Sequence, residues 1–360
     1  MKVLFLPENI ASMPAVTAEV LNKTENTEAV CITNFVHKYQ TITPGVILLH
    51  KTFSTNNFIN RIFNFFWRRT IYKYHIKKWI KWADVLHYVW SPAFENGEDL
   101  AYAEKLKKPI FIEWLGSDIR DPDYLKEINP YYKKAYNNGY EYALYESKIN
   151  SEVRQKIFFK YKATPLLSPE MSLYANRAFF PKVKILYQRL NVNDFKAVFP
   201  DKNNTRPLIV HSPSAKVAKG SNYIIGVIDE LKSQFDFDFK ILHDMHRSEV
   251  LALMQNADIF IDQIIIGSYG MATMEAMSFG KPVMCFILPE VFTAGLSRKC
   301  PIVNSNPDNL KENLIMLLKN PQLRHDLGKK SRAFVEEFHD AEKIATDLVE
   351  IYKSALQKNN

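Results

Sequence analysis

Apolar residues along this chain fall into two kinds of run. Short continuous blocks at Lys2 to Leu6, Glu28 to Thr33, Val46 to His50, Asp84 to Trp90, Pro109 to Trp114 and Ala163 to Ser168 read as buried strands. Between them, Met13 to Asn22, Glu98 to Lys107 and Tyr140 to Phe159 carry apolar residues at helical spacing. The alternation resumes with a strand at Pro207 to His211, a helix at Ser221 to Gln234 and a strand at Phe237 to Leu242. A further strand, Asp258 to Gln263, leads through Gly267 and Gly270 into a helix at Ala272 to Phe279, and Val283 to Ile287 follows as another strand. From Asn309 to Asn360 the pattern is mostly helical, broken at Asn320-Pro321 and at Phe338 to Ala341. Strands alternating with helices predict an α/β protein with parallel sheets. The length of 360 residues exceeds one ordinary core. The polar, turn-rich stretch Asp201 to Pro207 therefore marks the boundary between a domain of residues 1–200 and one of residues 201–342.

Composition narrows the setting. Apolar residues make up 47% and charged residues 24%, values of a globular chain with no segment that must be disordered. Cys31, Cys285 and Cys300 are odd in number and too widely spaced for a metal pattern, which points to a reducing, cytoplasmic compartment. Val3 to Leu6 is too short for a signal peptide, and no run approaches the ~18 apolar residues of a membrane span. The net charge of +8 resides entirely in the first 200 residues, so an anionic partner is expected to meet that half.

Residues 57–82 concentrate that charge. Arg61, Arg68, Arg69, Lys73, Lys77, Lys78 and Lys81 stand with no acid among them and are interleaved with nine aromatic residues. On a helix, Phe58, Ile62, Phe65, Tyr72, Ile76, Trp79 and Ala83 form one apolar stripe, with Lys73, Lys77 and Lys81 beside it. The stripe fits packing on a sheet with a solvated basic side, while the surplus of Trp and Phe fits contact with anionic lipid head groups. Nucleic acid is not expected, because no binding module accompanies the charge.

The stretch from Ala257 to Ile287 carries the candidate chemistry. A strand that ends in a glycine-punctuated loop before a helix leaves backbone N–H groups near Tyr269, Gly270 and Met271 facing outward, where a diphosphate is favoured. Glu275, just inside that helix, is placed to accept the hydroxyls of a ribose. The plain alternative is a strand-to-helix connection with Glu275 as a helix charge. In the strand-to-helix turn SPSAKVAKG, Gly220 permits close approach and Lys219 supplies a cation for phosphate oxygens. Asp236 and Asp238 stand at the start of their strand, where a metal-binding pair would follow it, and His243 and His246 lack the partners of a zinc site.

EAMSFGKPV resembles the signature of GT-B glycosyltransferases, in particular the large retaining family four, in which two Glu residues precede Ala-Met-x-x-Gly-x-Pro-Val. Glu275 matches the second Glu, which the resemblance assigns to the nucleotide ribose. The first falls at Gly267, and its contact to the donor sugar passes to Asp262 or Gln263. IDQIIIGSYG resembles a subgroup of bacterial polysaccharide glycosyltransferases. That subgroup ends an earlier strand with His-Gly-Ser-Asp-x-Arg, matched here by Gly116, Ser117, Asp118 and Arg120, with Leu115 in place of the His. The resemblance gives Asp118 the role of orienting hydroxyls and Arg120 that of meeting phosphate, against an ion pair that closes a surface loop. It pairs Lys216 with Lys219 as a diphosphate clamp and seats the nucleotide base by His243 and His246. His87, inside a strand where histidines are usually core residues, is a further catalytic candidate. The first loop, Pro7 to Ser12, lacks the glycines of many relatives.

The resemblance implies a GT-B architecture of two Rossmann-like, doubly wound domains facing a central cleft, with a last helix near residues 343–360 crossing back to the first domain. It implies transfer of a sugar, with retention, from a UDP- or GDP-sugar to a glycan or lipid-linked acceptor of cell-surface polysaccharide, lipopolysaccharide or capsule. No metal or other cofactor is called for. The location implied is cytoplasmic, or peripheral on the inner face of the membrane through residues 57–82. The alternatives are a GT-B sugar-nucleotide epimerase and a degenerate binding subunit, the latter favoured by Gly267 and Leu115.

Overall fold

The computed structural model describes residues 1–34, 46–49, 60 and 67–359. The first sheet holds seven strands, β1 (Lys2–Leu6), β2 (Glu28–Thr33), β3 (Val46–Leu48), β4 (Val85–Val89), β5 (Ile110–Glu113), β6 (Thr164–Leu167) and β7 (Lys184–Ile185), in the order β3-β2-β1-β4-β5-β6-β7. All its pairings are parallel, and Leu4 lies opposite Val30 on one side and Leu86 on the other. Strand period two divides its core in two. Leu4, Leu6, Leu86 and Tyr88 pack with helices Lys73–Trp82, Glu98–Lys105 and Lys148–Lys160. Val3, Phe5 and Val85 face the opposite way, toward helices Met13–Leu21 and Ala341–Asn359.

The second sheet has five parallel strands, β8 (Leu208–His211), β9 (Asp238–Ile241), β10 (Ile259–Ile261), β11 (Val283–Cys285) and β12 (Val303–Asn304), in the order β12-β11-β10-β8-β9. The expected α/β class with two parallel-sheet domains is thus observed. The final helix returns to the first sheet, burying Leu348 and Tyr352 completely.

Several expectations shift in detail. Helix 140–159 begins only at Lys148, because Ser147 caps it and Glu146 is drawn into the interior by Arg120, Tyr132 and Tyr140. Two helices that periodicity did not reveal, Pro122–Ile128 and Pro130–Tyr136, each start on a proline preceded by a capping Asp121 or Asn129. In the basic segment, Tyr72, Ile76 and Ile80 turn into the core while Lys73 and Lys77 both pair with Glu98, so sheet packing claims this part of the stripe. Residues 57–59 and 61–66 lie outside the described residues. Among the described residues no helix is long and apolar enough to cross a membrane.

Candidate functional site

In a parallel sheet the loops beyond the carboxyl ends of the strands form the binding edge. Here those edges meet. Asn129, beyond β5, donates from Nδ2 to Ile265 O, beyond β10, at 2.8 Å. Glu141 accepts from the N–H groups of Val217 and Ala218, beyond β8, at 2.8 and 2.9 Å, and Tyr187 Oη donates to Gly295 O at 2.9 Å.

Beyond β10 the chain enters helix Met271–Ser278 at Gly270, whose extended backbone bears no capping side chain. Gly270, Met271 and Ala272 are half-buried, so this positive helix end remains reachable. Tyr269 is buried, and its hydroxyl turns away to His339 Nε2 at 3.0 Å. Glu275 is 6% exposed and accepts from Arg247 Nη2 at 2.6 Å. Burial raises its pKa, and the Arg247 guanidinium opposes that rise. His246 caps the helix Arg247–Gln255 that presents this arginine, which gives it a positioning duty. His243 is exposed, bonds Pro213 O through Nδ1 at 3.1 Å and approaches Asp244 at 3.3 Å.

Lys219 and Asp262 form one unit. Lys219 Nζ lies 2.5 Å from Asp262 Oδ1, and Thr273 Oγ1 donates to Oδ2 at 2.6 Å. Burial pulls the lysine pKa down, but the charge and hydrogen bond of Asp262, with Tyr142 and Cys285 behind them, outweigh it and the ammonium stands above its ordinary value. This corrects the expectation for Asp262, which is 0% exposed with both oxygens engaged and is not presented to a sugar. Gln263 donates its amide to Ser268 O, a bond that folds the loop. Lys216 is exposed and borders, with Tyr131, Lys134, Gly220 and Tyr223, a pocket of about 400 Å³ between the domains. Gly267 has φ +93°, and a Cβ there would lie 2.5 Å from Leu288 Cγ, so a glutamate has no room at this position.

In the first domain three candidates become structural. His87 is 0% exposed, held between Tyr352 Oη (2.5 Å at Nδ1) and Glu113 Oε1 (3.0 Å at Nε2), and burial lowers its pKa. It is therefore a core residue, not a catalyst. Asp118 accepts from the N–H groups of Leu115, Gly116 and Ile119, and burial raises its pKa to about 6 against those bonds. Its carboxylate is spent on its own turn, which leaves Gly116 and Ser117 half-buried at the edge. Arg120 is bound by Glu146 (2.6 Å) and Glu170 (2.9 Å), not aimed at phosphate. A further network escaped sequence reasoning altogether: Arg189 grips Glu113 through Nη1 (3.1 Å) and Nη2 (2.8 Å) and donates from Nε to Thr17 at 2.5 Å. Arg247, Thr273 and Glu141 were missed too, since no local motif marks them. Asp236 and Asp238 pair with Arg206, at 3.3 and 3.0 Å. Among the described residues no group of three His, Cys, Asp or Glu is placed to hold a metal ion.

Comparison with known structures defines the class: the chain has the GT-B fold of glycosyltransferases. It superposes on sucrose-phosphate synthase from Thermosynechococcus elongatus with a TM-score of 0.60 at 14% identity, covering 99% of both chains. WaaG, a glycosyltransferase involved in lipopolysaccharide biosynthesis, gives 0.57 at 12%, over 98% of this chain and 99% of that one. Anabaena HepE in complex with UDP-glucose gives 0.60 at 13%, over 98% and 100%. More particularly, residues 236–334 match the family model of glycosyl transferases group 1, which takes in the candidate helix and Glu275. No curated protein matches the sequence.

Proposed function

We propose that this chain transfers a sugar, with retention at the anomeric carbon, from a UDP- or GDP-sugar to a glycan or lipid-linked acceptor of cell-surface polysaccharide such as lipopolysaccharide or capsule. The observation that carries the reading is the uncapped start of helix Met271–Ser278 with the Glu275–Arg247 pair one turn further on, within the region that matches the family model. As the bond from anomeric carbon to diphosphate breaks, charge grows on the leaving phosphate, and donors fixed in advance stabilise it most. The helix N–H groups and Lys216 supply those donors, and Glu275 accepts from the ribose. The reading assigns this work to protein groups and not to a metal ion. That the Anabaena structure holds UDP-glucose supports the donor class. The acceptor would meet the first domain's edge on the cytoplasmic side of a membrane.

Incubation with a panel of nucleotide sugars and candidate acceptors tests the proposal. Release of free nucleotide that depends on acceptor, with product of unchanged anomeric configuration, is expected. An isomerised donor would make the protein an epimerase, and nucleotide-sugar binding without conversion a degenerate subunit. Absence of any nucleotide binding would remove the donor-site assignment itself.

A further inference from the structure

Five of the thirteen exposed large apolar side chains among the described residues fall between 144 and 159, a density that calls for a cause. Leu144 (91% exposed) and Tyr145 (64%) occupy the turn before helix Lys148–Lys160, and Ile149 (72%) and Val153 (62%) continue on the helix. At 100° per residue, Ile149, Val153, Lys156 and Lys160 share one outward stripe. The opposite face is fixed: Phe158 is fully buried, its ring 5.6 Å from Tyr88 and 5.7 Å from Trp114. The stripe thus faces solvent through the packing of its own helix. Lys148, Lys156 and Lys160 are exposed around it, with Glu152 the one acid on the helix.

We propose that the turn at Leu144 and the outward stripe of helix Lys148–Lys160 dock on an anionic lipid bilayer, apolar side chains at the head-group boundary and lysines against the lipid charge. A protein partner fits this surface less well, because the cores of protein interfaces are depleted in lysine. Interfacial helices combine the two residue types found here. The segment also begins at the cleft mouth, where Tyr142 Oη reaches Ser214 Oγ at 3.4 Å, so docking would bring the facing edges close to the lipid. The inference draws on the proposed lipid-linked acceptor only for its purpose. Vesicle binding is read with neither donor nor acceptor, so the two proposals fail separately.

The test is co-sedimentation of the full chain with vesicles of phosphatidylcholine alone and of phosphatidylcholine mixed with phosphatidylglycerol. Binding to the mixed vesicles that weakens with salt is expected. Lys156→Glu/Lys160→Glu should weaken it by roughly twenty-five-fold or more, given about fivefold for each lysine near an anionic leaflet. Ile149→Asn/Val153→Asn should weaken it comparably, with thermal melting unchanged in both because the four positions are solvent-facing. Lys78→Glu/Lys81→Glu, on the exposed side of helix Lys73–Trp82, is the contrast. If that variant alone loses binding, or if wild type binds neither vesicle, the assignment is overturned. So too if Ile149→Asn/Val153→Asn splits a dimer of the wild-type chain without affecting vesicles, which would make the stripe a self-association face.

Discussion

Lys219 Nζ rests 2.5 Å from Asp262 Oδ1, an ion pair that ties the glycine-flanked turn beyond β8 to the end of β10. The lysine was expected to be a free phosphate clamp, yet its charge is already matched inside the second domain.

This pairing changes what a substitution should do. Lys219→Ala leaves Asp262 buried and uncompensated, which costs about 3–5 kcal/mol. Lys219→Met combined with Asp262→Leu removes both charges and should recover most of that loss. Denaturant titration of the three proteins checks this; equal stability of wild type and Lys219→Ala would show that the pair contributes nothing.

Glu275 offers a test of the proposed nucleotide site. Glu275→Gln keeps the side-chain volume but removes the charge, and hydrogen bonds to charged groups are worth about 1.5–3 kcal/mol, so UDP affinity should fall roughly ten- to hundredfold. Arg247→Met should act indirectly. Without the guanidinium that opposes burial, the Glu275 pKa rises further, and UDP binding should become weaker on the acid side of neutrality. Calorimetric titration across pH distinguishes the two, because the Gln variant has no carboxyl left to titrate.

His339 makes a prediction about acid stability. Its Nδ1–H donates to Gln188 O at 2.6 Å and its Nε2 accepts from Tyr269, so the ring is neutral, and burial pushes its pKa down to about 4. The unfolded chain takes up a proton near pH 6.5 that the folded chain refuses until about 4, so this contribution is lost as pH falls through that window. His339→Gln should be less stable at neutral pH but lose less on acidification. Only the difference between the two proteins is informative, because buried Asp118, with its pKa raised to about 6, works in the opposite direction.

Gly328 predicts a steric effect. A Cβ at this position in helix Pro321–Phe338 would come 2.2 Å from Gly280 O, just past the end of helix Met271–Ser278. Gly328→Ala should therefore destabilise by about 1–3 kcal/mol through overpacking, despite alanine's better helix propensity. A melting temperature at or above that of wild type would show that the two helices can move apart without cost.

Much of the architecture was legible because it depends on local pattern. Val3, Leu4, Phe5 and Leu6 form one apolar run whose members divide between the two faces of a central strand, as the residue period requires. The capped starts at Asp121-Pro122 and Asn129-Pro130 were equally present in the letters, though their helices are too short to show periodicity. The start of helix Met271–Ser278 and Glu275 were also visible, since both follow from a loop, a helix and the spacing between them.

The amino-acid sequence by itself determined the alternation of strands and helices, the position of the uncapped helix end and the resemblance of the stretch around Glu275. Tertiary structure alone decided which charged groups remain available. Lys219 finds Asp262 43 residues away, Arg189 finds Glu113 76 residues away, and Arg120 is claimed by Glu146 and Glu170 from later segments. The reason is physical: periodicity records which side of its own element a residue faces, whereas the partner of a buried charge comes from whichever distant element the fold brings within reach, and desolvation requires that partner to be there.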